Sequence, residues 1–285
     1  MERLTRLMPD RAKMRRLAGG AGLAASLVVL LAPVLFVFFW VVSLSLKQEI
    51  DNTAYPPIFL PPEPTLDNFR RLFAETPFAL YFWNSLLVSG GATLAAILLG
   101  VPAGYGIAKS KARAAAVLIL VARMTPGLSY LIPLYTLFQM IGLIGSVLPI
   151  AIVHLVITLP IVVYVMVGYF EALPAQLEEA ATIDGCNAWQ AFIHVAVPLA
   201  RPGIVVGAIL SFIYSWNNFV FGAVFAGRTT RTMPVAVYNM LTFEQFAWGP
   251  LAAAAIAVML PVLVLTVFIQ KEIVGGLTAG GVKGA

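Results

Sequence analysis

Six long apolar runs, separated by polar or proline-rich breaks, set the pattern of this chain. They lie at about Leu17–Leu46, Tyr81–Ala108, Ala114–Ile141, Val147–Phe170, Gly203–Phe225 and Trp248–Ile269. A helix needs about 20 mostly apolar residues to cross the hydrocarbon of a bilayer, so each run predicts one spanning helix. The first is too long for the apolar region of a signal peptide, about 7–15 residues, and predicts a retained helix. Pro33 inside it is tolerable where neighbours satisfy the freed carbonyl. Tyr81, Phe82 and Trp83 open the second run as an interfacial aromatic belt would. The pattern predicts an all-α membrane protein with six transmembrane helices.

Composition agrees with the pattern. The chain is 60% hydrophobic and only 11% charged, with mean hydropathy +0.92, whereas soluble domains carry about 25% charged residues. The net charge of +5 is not spread as a nucleic-acid surface would need. Arg3, Arg6, Arg11, Lys13, Arg15 and Arg16 crowd the start, as a cytoplasmic anchor facing anionic lipid would. With the N-terminus inside, the inner segments hold those six plus Lys109, Lys111, Arg113, Arg201, Lys271 and Lys283. The outer ones hold Lys47, Arg70, Arg71, Arg228 and Arg231. Twelve against five predicts both termini in the cytoplasm. The expected organisation is a basic segment 1–16, a first helix 17–46 and an extracytoplasmic loop 47–80. A five-helix core 81–270 follows, with a cytoplasmic loop at 171–202 and a cytoplasmic tail 271–285. Pro56, Pro57, Pro61, Pro62 and Pro64 predict an irregular outer loop.

The cytoplasmic loop is the most informative stretch. Pro174 suits a first helical turn, and Gly185 stands where a left-handed helix stop is expected. Asn187 with Gln190 has the form of a capping box starting a second short helix. The reading is a helix–turn–helix exposing Glu178, Glu179 and Asp184 beside the small residues Ala180 and Ala181.

Glu179-Ala180-Ala181, then Asp184-Gly185, then Val195 and Val197-Pro198-Leu199 resemble the EAA loop of ABC importer permeases, with Val for Ile and Val for Leu as the only departures. PTLDNFRRLF from Pro64, WNSL from Trp83, RMTP from Arg123, IPLY from Ile132, YSWNNF from Tyr214 and GLTAGGVKG from Gly276 resemble the carbohydrate branch, in particular the second permease of maltose-type systems. The resemblance implies a type I permease fold whose loop is a coupling helix seated on an ATP-binding subunit. Glu178, Glu179, Ala180, Ala181, Asp184, Gly185 and Pro198 would then form the ATPase-coupling site. It also implies these partners: a second homologous permease, two ATP-binding subunits that carry ATP and Mg, and an extracytoplasmic solute-binding protein touching the outer loop 226–247. This chain itself would bind no cofactor.

Polar residues inside the spans are few. Arg123 lies about ten residues into the third run, near mid-membrane at 1.5 Å per residue. A cation there costs about 2.5–3.5 kcal/mol on insertion scales, so it must be paired or wetted. Carbonyls freed near Pro126 or a group on another subunit are the available partners. Tyr214, Trp216, Asn217 and Asn218 cluster in the fifth run, where rings can stack on sugar C–H surfaces and amides can meet hydroxyls. With Arg123 they are the translocation-pathway candidates, against the alternative that they only join helices. His154 and Gln139 read as interhelical hydrogen bonds, and His194 as a packing or capping residue. The single Cys186 excludes an internal disulfide or zinc cluster. No glycine-rich phosphate loop with a trailing Lys-Ser/Thr occurs, and no convergent acids and bases suggest an enzyme. An ion-coupled secondary transporter remains the rival, but it usually wants intramembrane carboxylates or broken helices in inverted repeats. The expected cargo is a sugar, polyol or sugar derivative, with glycerol phosphate as a non-sugar alternative.

Overall fold

A computed structural model describes residues 11–241 and 247–281. Residues 1–10 and 282–285 of the expected terminal segments, and 242–246 of the expected outer loop, lie outside the described residues. All regular structure among the described residues is helical. In chain order the helices are α1 (Arg11–Leu46), α2 (Glu49–Asn52), α3 (Asp67–Glu75), α4 (Phe78–Ser110), α5 (Arg113–Met124), α6 (Leu131–Met140) and α7 (Leu148–Glu171). They continue with α8 (Ala175–Ile183), α9 (Ala188–Ala191), α10 (Val197–Leu199), α11 (Arg201–Trp216), α12 (Val220–Phe225), α13 (Met233–Asn239) and α14 (Trp248–Gly281). A 3₁₀ turn, Gly127–Tyr130, precedes α6, and a π-helical turn, Phe192–Ala196, precedes α10.

Four segments are long and apolar enough to cross a membrane: Ser26–Leu46, Phe78–Ser110, Leu148–Glu171 and Trp248–Phe268. The third and fifth expected spans are not straight. The pair Ala114–Met124 and Gly127–Met140 is bent by 85°, and the pair Ala188–Leu199 and Arg201–Trp216 by 73°. The described residues therefore hold four candidate spans, or six if each bent pair counts as one. The first break follows from Pro126, which has no N–H to give the carbonyl of Ala122 and disfavours helical backbone at Thr125. Thr125 is accordingly extended, at φ −66° and ψ 124°. The expected fifth span also ends early, because α11 stops at Trp216 and α12 is a separate helix.

The residues fall into two compact units, 1–70 with 247–256, and 71–246 with 257–285. In the first, the loop after α1 is tied down by polar contacts. Lys47 is buried, donates to the carbonyl of Ile58 at 2.7 Å and lies 4.5 Å from the Trp40 ring centroid. The Asn68 amide donates to the carbonyls of Ser45 and Lys47. The Glu49 carboxylate accepts the N–H groups of Trp248 and Gly249 at 2.7 and 2.9 Å, a negative charge where a helix start favours one. The outer loop carries α2 before its proline cluster and is irregular only through that cluster, which ends at Pro64. Beyond it Thr65 accepts the N–H of Asp67, and α3 begins.

In the second unit α4, α7 and α11 form the core. Small residues let α4 and α7 approach closely. A Cβ on Gly100 would meet Val162 at 2.7 Å, and one on Gly104 would meet Met166 at 2.6 Å. A chain of buried hydroxyls and a ring joins all three helices: His154 Nδ1 to Ser215 Oγ at 2.7 Å, and Ser215 Oγ to Ser89 Oγ at 3.1 Å. Large apolar side chains face outward instead. Val28, Val29, Leu30, Leu94, Leu98, Leu118 and Val267 are all exposed, as a surface solvated by lipid requires.

Candidate coupling loop and intramembrane cavity

Local backbone rules build the loop between α7 and α11. Helix α8 ends at Gly185, whose φ of +90° only glycine adopts without strain. The N–H of Gly185 donates to Thr182 O, and that of Cys186 to Ala181 O, the pair of bonds of a Schellman stop. Two residues later Asn187 and Gln190 exchange side-chain and backbone bonds, both at 2.9 Å, and α9 begins from this capping box. Glycine stop and capping box are as the sequence predicts. Pro174 is one residue outside the helix, at its N-cap. The π-helical turn then drives Phe192 into the core, 4.8 Å from the Tyr105 ring and 6.4 Å from Phe170. The loop is therefore rooted in α4 and α7.

The seven residues expected at the coupling surface divide into two groups. Glu179, Ala180, Asp184, Gly185 and Pro198 are exposed. Ala181 is buried, and Glu178 turns inward, accepting hydrogen bonds from Lys109 and from Tyr105 Oη at 3.1 Å. The Glu178 carboxylate thus joins α8 to the end of α4 rather than facing outward. Sequence reasoning missed both Lys109 and Tyr105. It also missed two exposed apolar side chains beside the acidic ones, Ile183 at 85% and Trp189 at 63% exposure. His194 is exposed in the π-helical turn.

Of the five expected pathway residues, the structure gathers three. Arg123, Tyr214 and Asn218 line one cavity of about 320 Å³, together with Thr125, Tyr130 and Phe221. This is within the range of small-molecule sites, about 300–1,000 Å³. Trp216 is buried and donates Nε1–H to the carbonyl of Val258 at 3.0 Å, so it holds helices together. Asn217 caps its own helix, donating to Ile213 O at 2.9 Å. Of the two expected partners for Arg123, carbonyls near Pro126 or a group on another subunit, the first is not seen among the described residues: Ala122 O instead accepts from Tyr130 Oη at 3.4 Å. Arg123 makes no ion pair among the described residues. It stands in the last turn of α5, where the helix dipole favours a cation by about 0.3–1 kcal/mol. That offsets only part of the insertion cost of about 2.5–3.5 kcal/mol. Gln139, expected to bond between helices, is exposed. Among the described residues no group of three His, Cys, Asp or Glu side chains is placed to hold a metal ion.

Comparison with known proteins places this arrangement. Residues 96–274 match the family described as binding-protein-dependent transport system inner membrane component. The sulfoquinovosyl glycerol transport system permease protein SmoH of Agrobacterium fabrum is 35% identical, over 90% of this chain and 91% of its own length. The trehalose transport system permease protein SugB of Mycobacterium tuberculosis is 36% identical, over 86% of this chain and 91% of its own. The fold is similar to a chain in the crystal structure of a bacterial ABC transporter involved in import of the acidic polysaccharide alginate. There the TM-score is 0.74 at 20% identity, covering 93% of this chain and 98% of that one. The glycine-stopped loop, the apolar spans and these matches identify the chain as a member of the binding-protein-dependent transport system inner membrane component family, a non-catalytic, multi-pass permease subunit of an ABC importer.

Proposed function

We propose that this chain is one of two homologous permeases in an ATP-driven, binding-protein-dependent importer for a sugar, polyol or sugar derivative. The trehalose and sulfoquinovosyl glycerol relatives support that cargo class. In this reading each bent pair is one span, giving six, and the excess of Lys and Arg in the segments read as inner supports a cytoplasmic side for both termini and the loop 171–202. Two ATP-binding subunits hold ATP and Mg, and a solute-binding protein delivers cargo to the outer face.

The observation that carries the reading is the α8–α9 loop. Its exposed side is acidic and apolar at once, with Glu179, Asp184, Ile183 and Trp189, while Phe192 and Glu178 root it in the core. A partner that moves this face moves α4 and α7 with it. Cargo passes beside Arg123, Tyr214 and Asn218 as access alternates.

A second reading, an ion-coupled transporter, draws on the two bent helix pairs, since broken helices build ion sites in that class. No carboxylate lines the cavity at the first break, which leaves a proton gradient no carboxylate to protonate there. The test is ATPase activity of the reconstituted complex, with its binding protein, against a sugar panel. One sugar should stimulate hydrolysis several-fold; hydrolysis indifferent to binding protein and to every sugar would contradict the reading.

A further inference from the structure

We propose that the Arg123 cavity receives the acidic group of an anionic sugar derivative, a carboxylate, sulfonate or phosphate, and makes this permease selective for charged over neutral cargo. The inference rests on the pathway reading above and narrows its substrate class.

Arg123 lies ten residues beyond the start of α5, about 15 Å along the helix. A guanidinium there is always charged and is shaped to grip a carboxylate or phosphate with two parallel N–H bonds. The cavity around it contains no carboxylate. Every nearby group that might have neutralised it is neutral or already engaged. Tyr130 donates to Ala122 O at 3.4 Å and Thr125 to Val121 O at 3.3 Å, so two of the carbonyls at the helix break are already engaged. The Asn218 oxygen accepts the N–H of Phe221 at 3.4 Å. The helix end compensates only part of the charge. A permanent cation, exposed on the surface of this chain, thus lines a space of about 320 Å³ with no ion-pair partner in this chain's described residues.

The rest of the wall suits a sugar. Tyr214 is half exposed, offering a ring face to C–H bonds and a hydroxyl with no partner among the described residues. The amide of Asn218 and the rings of Tyr130 and Phe221 surround the same volume. An anion paired with Arg123 would leave these groups for the hydroxyls and the ring.

The experiment uses the whole complex with its own binding protein in proteoliposomes. Neutral probes are glucosyl glycerol, trehalose and maltose. Acidic probes are glucosyl glycerol carrying a carboxylate, a sulfonate or a phosphate at C6. The wild type should import at least one acidic probe more than tenfold faster than its neutral parent. That ratio should collapse at least tenfold in Arg123→Gln and survive in part in Arg123→Lys. A wild type that imports only neutral sugars, or an unchanged ratio in Arg123→Gln, would overturn the proposal while leaving the importer reading intact. So would loss of the second permease from the Arg123→Gln complex on size exclusion, which would assign the cation to a subunit contact. A loss confined to vesicles containing phosphatidylglycerol would assign it to a lipid headgroup and also overturn the proposal. Absence of ATP-dependent uptake of any sugar would defeat the importer reading itself.

Discussion

At the scale of single residues, Gly185 carries the sharpest expectation. Its φ of +90° is closed to proline, and its N–H holds the carbonyl of Thr182 in the helix stop. A Cβ there meets nothing within 4 Å, so the position is demanding in backbone and permissive in space. Gly185→Pro should therefore misdirect α9 without disturbing the membrane core. Uptake should fall more than tenfold while membrane insertion stays at the wild-type level on fractionation. Normal uptake by this variant would remove the coupling assignment. The same scale explains why Trp216 stays open in the sequence. An aromatic next to two asparagines reads equally as a sugar platform or as packing. Only the position of the Val258 carbonyl, 42 residues away, decides for packing.

At the scale of helices, the α4–α7 contact is the centre of the core. Gly104 allows it: a side chain there would run into Met166, whereas Gly106 on the same helix faces open space. Overpacking of this kind costs about 1–3 kcal/mol. Gly104→Leu should lower the thermal midpoint of the detergent-solubilised complex by several degrees, with Gly106→Leu near wild type. Equal effects of the two would contradict the packing. The helices themselves were largely legible, because uninterrupted apolar runs of 20 or more residues admit little else in a bilayer. The two bends were less so. Pro33, Pro102, Pro160 and Pro261 lie within continuous helices, while Pro126 breaks one. What accompanies the break is a local pair of bonds: the Thr125 and Tyr130 hydroxyls take up carbonyls of Val121 and Ala122. The loop was readable in its stop and cap, since Gly185, Asn187 and Gln190 act within a few residues of one another. The inward turn of Glu178 was not, because Lys109 lies 69 residues away.

At the scale of the whole molecule, the claims concern which side of the membrane the loop occupies and what drives transport. Cys186 is the only cysteine of the chain and sits beside Gly185, so it reports on the loop without engineering. In membranes stripped of ATP-binding subunits, an impermeant maleimide should label it in inverted vesicles. Intact cells should leave it unlabelled. The reverse pattern would invert the topology. In the proposed division of labour this chain supplies a pathway wall and a lever, and other subunits supply hydrolysis. The most direct measurement of that account is sugar uptake into proteoliposomes holding the complete complex with its binding protein. Uptake should require ATP and be indifferent to an imposed proton or sodium gradient. Accumulation driven by an ion gradient with ATP removed would contradict it.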